Sequence, residues 1–418
     1  MTSPAPVPVR YSRLLRSREF RGLLLAQITS EAGDHFARVA VAALILDRSG
    51  SAFYAAMTFA VSYLPAIFGS ALLAPLADRM PRKRLMLFCD AARVALVGLL
   101  AIVALPGTPL WVLFGLLLLA ELFAAPFEAA RAATLPDVLP GPDQYTAGSG
   151  LSKVLYQVNQ VIGLTAAGVL AYVLSPRWAL VIDAGTFVVS FAILTATLRA
   201  RDAPLAGMQR VGGLLRDFAE GVALVFGDPC RRALVILGWG SAIFLIAAEG
   251  VALVYGRAHG SPDMGGMLMA AVPAGAGIGA WCIARQPVLR QVSAIRPLAF
   301  AACLPLLATG LDPPIWVAMA LWFVSGACQA FMVPIIAVVN LLTPREFRGR
   351  VNGLAAAGFS VANAVAFLLA GLVADRAGPA AAVAIAGGAG LAGLAALGAI
   401  WPGRDLPQRL AATRGGGA

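Results

Sequence analysis

The feature that most constrains this chain is a succession of apolar segments, each long enough to cross a lipid bilayer. A helical span needs about 20 apolar residues. Backbone groups in lipid must find their hydrogen bonds within the segment, so each span is expected to be helical. Twelve spans are predicted, at approximately residues 20–46, 53–77, 84–105, 109–131, 148–173, 178–198, 233–256, 264–284, 294–311, 314–338, 351–374 and 379–401. The sequence therefore predicts an all-α membrane protein with twelve transmembrane helices.

The residue composition also favours a membrane environment. Charged residues make up 13% of the 418 residues, and the mean hydropathy is +0.81. A soluble domain carries about 25% charged residues. The net charge of +11 comes from basic residues in short loops between apolar segments. Nucleic acid is therefore not an expected partner, although a basic chain can indicate one.

The basic residues fall mainly on one side of the predicted topology. With twelve spans, both ends of the chain lie on the same side. The loops of that side carry 24 arginine and lysine residues, against 4 in the opposite loops. Since cytoplasmic loops are enriched in these residues, the sequence predicts a multi-pass protein of the cell inner membrane with both termini in the cytoplasm.

Two apolar stretches in different halves of the chain resemble each other. Gly168 corresponds to Gly371, and Pro176 corresponds to Pro379 at the same offset. A chain that repeats its membrane half in parallel is typical of a secondary transporter, with a path between the halves. The repeat predicts two pseudo-symmetric six-helix bundles.

The polar segments suggest where these bundles begin and end. The first bundle is predicted to cover residues 1–198 and the second residues 233–402. Residues 199–232 form the longest polar segment and are expected to be a cytoplasmic linker that contains an amphipathic helix on the membrane surface. The tail, 403–418, is expected to be disordered.

The strongest local motif closes span 2 and opens span 3. It places one acid, Asp78, beside the basic residues Arg79, Arg82 and Lys83. An acid at a helix end can interact with the positive N-terminus of a neighbouring helix. An ordinary cytoplasmic loop would explain the basic residues but not the acid.

This motif resembles the signature loop of the major facilitator superfamily, Gly-x-x-x-Asp-Arg/Lys-x-Gly-Arg-Arg/Lys. The acid and the three basic residues match, whereas Ala74 and Pro81 stand at the two glycine positions. Further segments are similar to the branch that includes enterobactin-type siderophore exporters and macrolide efflux proteins: Gly33-Asp34, Leu135-Pro136-Asp137, Asn159 to Gly168, Asp183 to Phe187, and Pro344 to Val351. The resemblance implies two bundles that rock around a cavity lined mainly by spans 1, 4, 7 and 10, with the loop as a conformational latch.

Span 1 carries four ionisable residues on one face. Glu31, Asp34, His35 and Arg38 follow one another at i, i+3, i+4 and i+7. Ionisable residues inside a membrane are costly, so such a face is expected to line the bundle interior or a wet cavity. Asp34 and Arg38 are spaced to pair along the helix.

Spans 3 and 4 extend this charge network. Glu121, Glu128 and Arg131 share a face of span 4, and span 3 carries Asp90 and Arg93 near its cytoplasmic end. Glu128 with Arg131, and Asp90 with Arg93, are expected to form ion pairs within their helices.

A proton-coupling role is predicted for some of these acids. Low dielectric favours the neutral form of a carboxyl group, so a buried acid can exchange a proton. Asp34 and Glu31 are the main candidates, Glu121 follows them, and His35 could relay protons. A static salt-bridge network is the alternative interpretation of the same residues. No cofactor is expected, because a proton gradient would supply the energy.

Aromatic side chains in the spans are candidates for the wall of a substrate cavity. Aromatic surfaces with a few acids suit a bulky amphipathic or cationic compound, although aromatic residues at helical spacing also pack in cores. The candidates are Phe36, Tyr63, Phe123, Phe127, Trp239, Trp322 and Phe331, together with Glu249 of span 7.

The function that the sequence favours is secondary active transport. The chain is predicted to be a proton-coupled exporter of small amphipathic compounds, drug-like or siderophore-like, that works by alternating access as a monomer. Its partners would be a small-molecule substrate and the bilayer. The sequence contains no P-loop signature and no arrangement for nucleophilic or metal catalysis, so an enzyme is not expected. An importer or lipid flippase on the same fold, and a non-transporting membrane sensor or scaffold, are the alternatives.

Overall fold

The fold of the chain is helical wherever it is described. The computed structural model describes residues 11–105, 107–201, 211–399 and 401, and their side chains except at residues 11, 66–79, 142, 169–173, 211–215, 217 and 345. Every regular element in these ranges is a helix, so the all-α prediction is confirmed for them. The predicted tail, 403–418, and residues 202–210 of the predicted linker lie outside the described residues.

The described residues form seventeen α-helices joined by short connections. In chain order they are α1 (Tyr11–Leu14), α2 (Arg18–Ser49), α3 (Ala52–Arg79), α4 (Arg82–Val103), α5 (Leu110–Leu122), α6 (Ala124–Val138), α7 (Pro142–Val173), α8 (Pro176–Thr197), α9 (Val211–Phe226), α10 (Pro229–Ala258), α11 (Gly265–Ala284), α12 (Val288–Ser293), α13 (Ile295–Ala308), α14 (Ile315–Cys328), α15 (Met332–Leu341), α16 (Arg348–Ala377) and α17 (Pro379–Gly398). Single 3₁₀ turns occupy Pro262–Met264, Thr309–Leu311, Gln329–Phe331 and Arg345–Phe347. Helix α9 supplies the helix predicted in the linker.

Many of these helices can cross a membrane. Among the described residues, eight helical segments have the length and hydropathy of a span: α4, α5 with α6, α8, α10, α11 with the 3₁₀ turn before it, α14 with α15, α16 and α17. Two shorter apolar helices cover Ala52–Pro65 and Ile295–Leu311. Helices α2 and α7 are 32 residues long, long enough to span a bilayer. The chain is a multi-pass membrane protein, and the twelve-span count and two-bundle layout stay predictions.

Local sequence explains where several helices start and stop. Helices α8, α10 and α17 each begin at a proline, which fits the first turn because that turn needs no N–H partner there. Asp228 caps α10 by accepting hydrogen bonds from the backbone N–H groups of Cys230 and Arg231. Gly378 separates α16 from α17 with a φ of +86°, a conformation that glycine adopts at no steric cost.

The chain divides into two compact units. One comprises Met1–Val41 and Phe68–Met208, and the other comprises Ala42–Ile67 and Gln209–Ala418. The segment Ala42–Ile67 therefore packs with the later part of the chain, which a division at residue 198 does not anticipate. The predicted bundle boundaries stay a prediction.

The core of the first unit brings together α2, α4, α6 and α8. Leu23, Met86, Phe127 and Leu194 are among its buried side chains. Gly33 of α2 lies so close to α8 that an added Cβ would overlap the side chains of Asp183 and Thr186. The absence of a side chain at Gly33 therefore allows α2 and α8 to pack closely.

The second unit contains a close helix contact built on glycine. Helix α11 packs against α14, and an added Cβ at Gly275 or Gly279 would overlap backbone atoms of α14. Gly326 of α14 approaches the backbone of Val272 in the same way. Small residues allow such close approach between membrane helices.

Candidate functional site

The first unit contains a partly open cavity of about 290 Å³ that is lined mostly by polar and charged residues. Its lining comes from α2, α4, α6 and α7. Helix α2 contributes Gln27, Ser30, Glu31, Asp34, His35 and Arg38. The other helices contribute Arg93 from α4, Ala124, Phe127, Glu128 and Arg131 from α6, and Ser152, Lys153 and Tyr156 from α7. The predicted polar face of span 1 is thus brought into a cavity by the fold.

The ion pairs of α2 cross to other helices. Arg38 donates two hydrogen bonds to Glu121 of α5, at 2.7 Å from Nε and 3.2 Å from Nη2. Arg93 of α4 pairs with Asp34 through Nη2. The prediction that Asp34 pairs with Arg38 along α2 is therefore wrong, because neighbouring helices present better-placed partners. Glu121, which has no evident partner in its own helix, is held by Arg38 from α2.

Arg93 lies at the centre of a buried polar cluster. Its side chain is 3% exposed, and its guanidinium lies 4.1 Å from the ring centroid of Phe187. Nη1 also donates to Ser30 Oγ at 3.3 Å. Asp90, the predicted partner, instead accepts a hydrogen bond from Ser190 Oγ at 2.8 Å. The predicted Asp90–Arg93 pair is therefore wrong, since Asp90 is bound by Ser190 of α8 while Arg93 pairs with Asp34 of α2.

A row of hydrogen bonds connects α6 to Glu31. Arg131 pairs with Glu128 at 2.6 Å, which confirms the predicted pair. Arg131 Nη1 also donates to Gln27 Oε1 at 2.8 Å, and Gln27 Nε2 donates to Glu31 Oε1 at 2.8 Å. Asn159 Nδ2 of α7 lies 3.4 Å from Glu31 Oε2. Both hydrogen bonds to Glu31 therefore come from neutral amides, unlike those to Asp34 and Glu121.

His35 lines the cavity from a buried position. Its ring packs against α7, where a Cβ added at Gly163 would lie 2.7 Å from ring carbon Cδ2. The glycine makes room for the imidazole between α2 and α7. A proton relay through His35 stays a prediction.

Sequence reasoning based on charged groups does not identify four neutral polar residues of the cavity. They are Gln27, Ser30, Ser152 and Tyr156. The spacing of two of them from charged residues along a helix could have identified them as cavity residues. Gln27 lies one turn before Glu31, and Tyr156 lies close to one turn after Lys153, so each shares a helix face with an ionisable side chain.

Two basic residues of the motif, Arg82 and Lys83, bind the ends of neighbouring helices. Arg82 donates to the carbonyl oxygen of Ala133 and to Asp137 Oδ2, both at 2.6 Å. Lys83 donates to the carbonyl oxygens of Thr195 and Leu198 at 2.9 and 2.5 Å. Cations are favourable at helix C-termini, where carbonyl groups lack partners.

The latch role implied for this motif stays a prediction. Asp78 and Arg79 belong to the last turn of α3, and their side chains lie outside the described ones. The contacts of Arg82 and Lys83 show that these two residues tie α4 to the ends of α6 and α8 within the first unit.

Three aromatic candidates belong to the first unit. Phe127 lines the cavity and is also part of the core. Phe123 packs edge-to-face with Phe88, with ring centroids 5.9 Å apart. Phe36 is half-buried on α2 and is not among the residues that line the cavity.

Two aromatic candidates of the second unit are packing residues. Trp322 and Phe331 are fully buried, and Trp322 Nε1 donates to Thr309 Oγ1 at 3.2 Å. Neither side chain is exposed in this structure, and a contact of either one with a substrate stays a prediction. Trp239 Nε1 donates to the carbonyl oxygen of Ala355 at 3.0 Å.

The other two candidates of the second unit stay predictions. Tyr63 stacks on Phe367, with ring centroids 5.9 Å apart and 26° between the ring planes. Glu249 is buried in α10. Neither observation tests whether the residue contacts a substrate.

Comparison with known proteins relates the chain to membrane transporters. A family model described as transmembrane secretion effector matches residues 12–408. The multidrug efflux pump Tap of Mycobacterium tuberculosis is 25% identical over 373 residues, which cover 85% of this chain and 87% of that protein. Macrolide efflux protein A of Streptococcus pyogenes is 27% identical over 207 residues, which cover 48% of this chain and 49% of that protein.

Solved structures of transporters share the fold. The nucleoside transporter NupG superposes with a TM-score of 0.73 at 13% identity, covering 91% of this chain and 99% of that one. A POT family transporter gives a TM-score of 0.73 at 12% identity, covering 91% of this chain and 95% of that one. At such low identity the likeness concerns the fold alone.

Proposed function

The chain belongs to the transmembrane secretion effector family of the major facilitator superfamily, and on this premise we propose that it exports small amphipathic compounds in exchange for protons. It is a multi-pass membrane transporter whose relatives include efflux pumps for several drugs and for macrolides. These relatives support the export part of the proposal, and alternating access is a further part of it. Location in the bacterial inner membrane, with both termini in the cytoplasm, is supported by the loop asymmetry of 24 basic residues against 4.

The observation that carries the proton-coupling proposal is the environment of Glu31. It lines the cavity, and its two described hydrogen bonds come from amide groups. Protonating Glu31 therefore breaks no ion pair. Protonating Asp34 or Glu121 would break the ion pair with Arg93 or with Arg38, and breaking such a pair is unfavourable. Glu31 is thus the preferred proton carrier among the acids predicted from the sequence.

The row of hydrogen bonds beyond Glu31 suggests how its charge state is sensed. Gln27 links Glu31 to Arg131, which is held by Glu128. When Glu31 gains a proton, it becomes a weaker acceptor for the Gln27 amide and gains an O–H donor of its own. Gln27 can then reorient, which alters its hydrogen bond to Arg131 on α6. The ion pairs Asp34–Arg93 and Glu121–Arg38 are expected to stay intact when Glu31 changes its protonation state.

The cavity also suits a small-molecule cargo of mixed character. It combines carboxylate, guanidinium, hydroxyl and amide groups with the rings of Phe127 and Tyr156. Pockets that pair apolar surface with a few placed polar groups are typical of small-molecule sites. All of these groups come from one unit of one chain, which supports action as a monomer.

The test is transport in proteoliposomes with an imposed pH gradient. Wild type is expected to move an amphipathic fluorescent cation only while the gradient persists, in the direction opposite to the proton flow. Glu31→Gln should retain the fold but lose the dependence on the gradient. Asp143→Asn, at an exposed site in the first turn of α7, is the matched control and should behave as wild type. Gradient-independent movement by wild type would reject proton coupling, and movement along with the protons would favour import.

A further inference from the structure

The cavity contains a cation and a hydroxyl that the ion-pair network does not use. Its three arginines are each held by a carboxylate: Arg38 by Glu121, Arg93 by Asp34, and Arg131 by Glu128. The fourth cation, Lys153 of α7, has no acid within ion-pair distance among the described residues. Its side chain is exposed and lines the cavity, so its charge is accessible to a ligand in the cavity.

Ser152 gives independent evidence of a binding position beside this lysine. Its side chain is 6% exposed and lines the cavity, yet its Oγ has no hydrogen-bond partner in the described structure. A buried hydroxyl without a partner is unfavourable, because it loses its hydrogen bonds to water and gains none in the protein. A ligand group that accepts or shares a hydrogen bond in the cavity would relieve this cost. Ser152, Lys153 and Tyr156 then form one polar wall of α7.

Glu31 offers a binding position for a group of the opposite charge, a cation. This carboxylate is held by amide groups of Gln27 and Asn159 and is the cavity acid without an arginine partner at ion-pair distance among the described residues. A cationic group that reaches the cavity would find its strongest partner there. Once the three arginine pairs are set aside, Glu31 and Lys153 are the carboxylate and the ammonium of the described lining that remain to meet a cargo.

The helical rise of α7 gives the axial spacing between the backbone positions of Asn159, which holds Glu31, and Lys153. Glu31 is hydrogen-bonded to Asn159, and Lys153 is six residues earlier on the same helix. A helix rises 1.5 Å per residue, so the two positions are separated by about 9 Å along α7. A small molecule with a cation and an anion at opposite ends would engage both together.

We propose that this cavity takes amphoteric compounds, binding their cationic group at Glu31 and their anionic group at Lys153 and Ser152. The inference rests on the proposed export function and specifies the class of substrate. A compound with a cation alone would occupy only half of the site. Release is then coupled to protonation, because a protonated Glu31 no longer attracts the cationic end.

The experiment uses ciprofloxacin as the probe, because it is fluorescent and carries a carboxylate and a secondary amine at opposite ends. Its methyl ester lacks the anion, and its N-acetyl derivative lacks the cation. Equilibrium binding to the purified protein in detergent, and pH-gradient-driven transport in proteoliposomes, are measured for all three compounds. Wild type is expected to bind the parent compound about tenfold more tightly than either derivative.

Variants of Lys153 assign the preference to its charge. Lys153→Gln should weaken binding of the parent compound to the level of its methyl ester and leave binding of the ester unchanged. Lys153→Arg keeps the cation and should keep the preference. Ser152→Ala should also weaken binding of the parent compound, but by a factor several-fold smaller than that of Lys153→Gln. If Lys153→Gln also changed binding of the ester, the substitution would have disturbed the structure of the cavity. That result would contradict the assignment of the preference to the charge of Lys153.

The outcomes separate this inference from the proposed function. Equal binding of the three compounds by wild type, or a preference that survives in Lys153→Gln, overturns the amphoteric site while gradient-driven transport can persist. The expected binding preference without gradient-driven transport supports the site and contradicts proton-coupled export.

Discussion

The carboxylate of Asp375, at the C-terminal end of α16, accepts a hydrogen bond at 2.5 Å from the backbone N–H of Ala52, the first residue of α3. The same carboxylate accepts from Ser51 Oγ at 2.6 Å and from the N–H of Phe53 at 3.2 Å. The first N–H groups of a helix lack partners within it. One helix therefore caps another, although the two residues are 323 positions apart.

Asp375→Ala is expected to destabilise the protein by about 1 kcal/mol, as the loss of an N-cap does. Asp375→Asn keeps one acceptor oxygen and should cost less. Thermal unfolding in detergent measures the loss, and amide hydrogen exchange at residues 52–55 locates it. Unchanged exchange in the first turn of α3 after Asp375→Ala would show that the cap contributes nothing.

Arg93→Leu is expected to destabilise the first unit by about 3 kcal/mol, because it leaves Asp34 in the cavity without its cation. The double variant Asp34→Asn with Arg93→Leu should recover most of this loss. Chemical denaturation measures both. The control is Arg216→Ala, which removes an exposed pair with Glu220 and should change stability by no more than about 0.5 kcal/mol. A double variant as unstable as Arg93→Leu would contradict the pairing.

Glu31→Gln should change the pH dependence of transport, whereas Glu121→Gln should change the stability of the protein. Glu121→Gln removes the charge that holds Arg38, so the unfolding temperature is expected to fall. Glu31→Gln removes no ion pair, so stability should hold while the pH dependence of transport disappears. Thermal unfolding and transport between pH 5 and 8 are measured on both variants. If Glu31→Gln were the less stable of the two, the division of roles would be wrong.

Lys83→Ala is expected to cost about 1 kcal/mol, since Lys83 binds two carbonyl oxygens at the C-terminal end of α8. The neighbouring Arg84 is exposed, and Arg84→Ala serves as the matched control with the same loss of charge. Denaturation at low and high salt compares them. Equal losses in the two variants would show that net charge, and not the helix end, accounts for the effect.

Gly326→Val should destabilise the second unit by more than about 3 kcal/mol, because the new side chain would overlap the backbone of Val272. Gly393 of α17 has no neighbour within 4 Å of an added Cβ. Gly393→Ala is therefore expected to be neutral or to stabilise α17 by about 0.5–1 kcal/mol. Retention of wild-type stability by Gly326→Val would mean that α11 and α14 are less closely packed than described.

The sequence determined the helical membrane class and the shared face of Glu31, Asp34, His35 and Arg38. Both follow from local rules, since hydropathy decides whether a segment enters lipid and the helical period decides which side chains share a face. The pair of Glu128 with Arg131 could be predicted for the same reason, because three residues along a helix bring two side chains together.

The partners of Asp34 and Arg38 were decided by the tertiary structure alone. Arg93 is 59 residues from Asp34, and Glu121 is 83 residues from Arg38, so no helical period relates them. The same applies to Asp375 with Ala52, and to the burial of Trp322 and Phe331, which local periodicity could not distinguish from a cavity wall. Such contacts depend on which helices pack side by side and at what rotation, and these are properties of the whole fold.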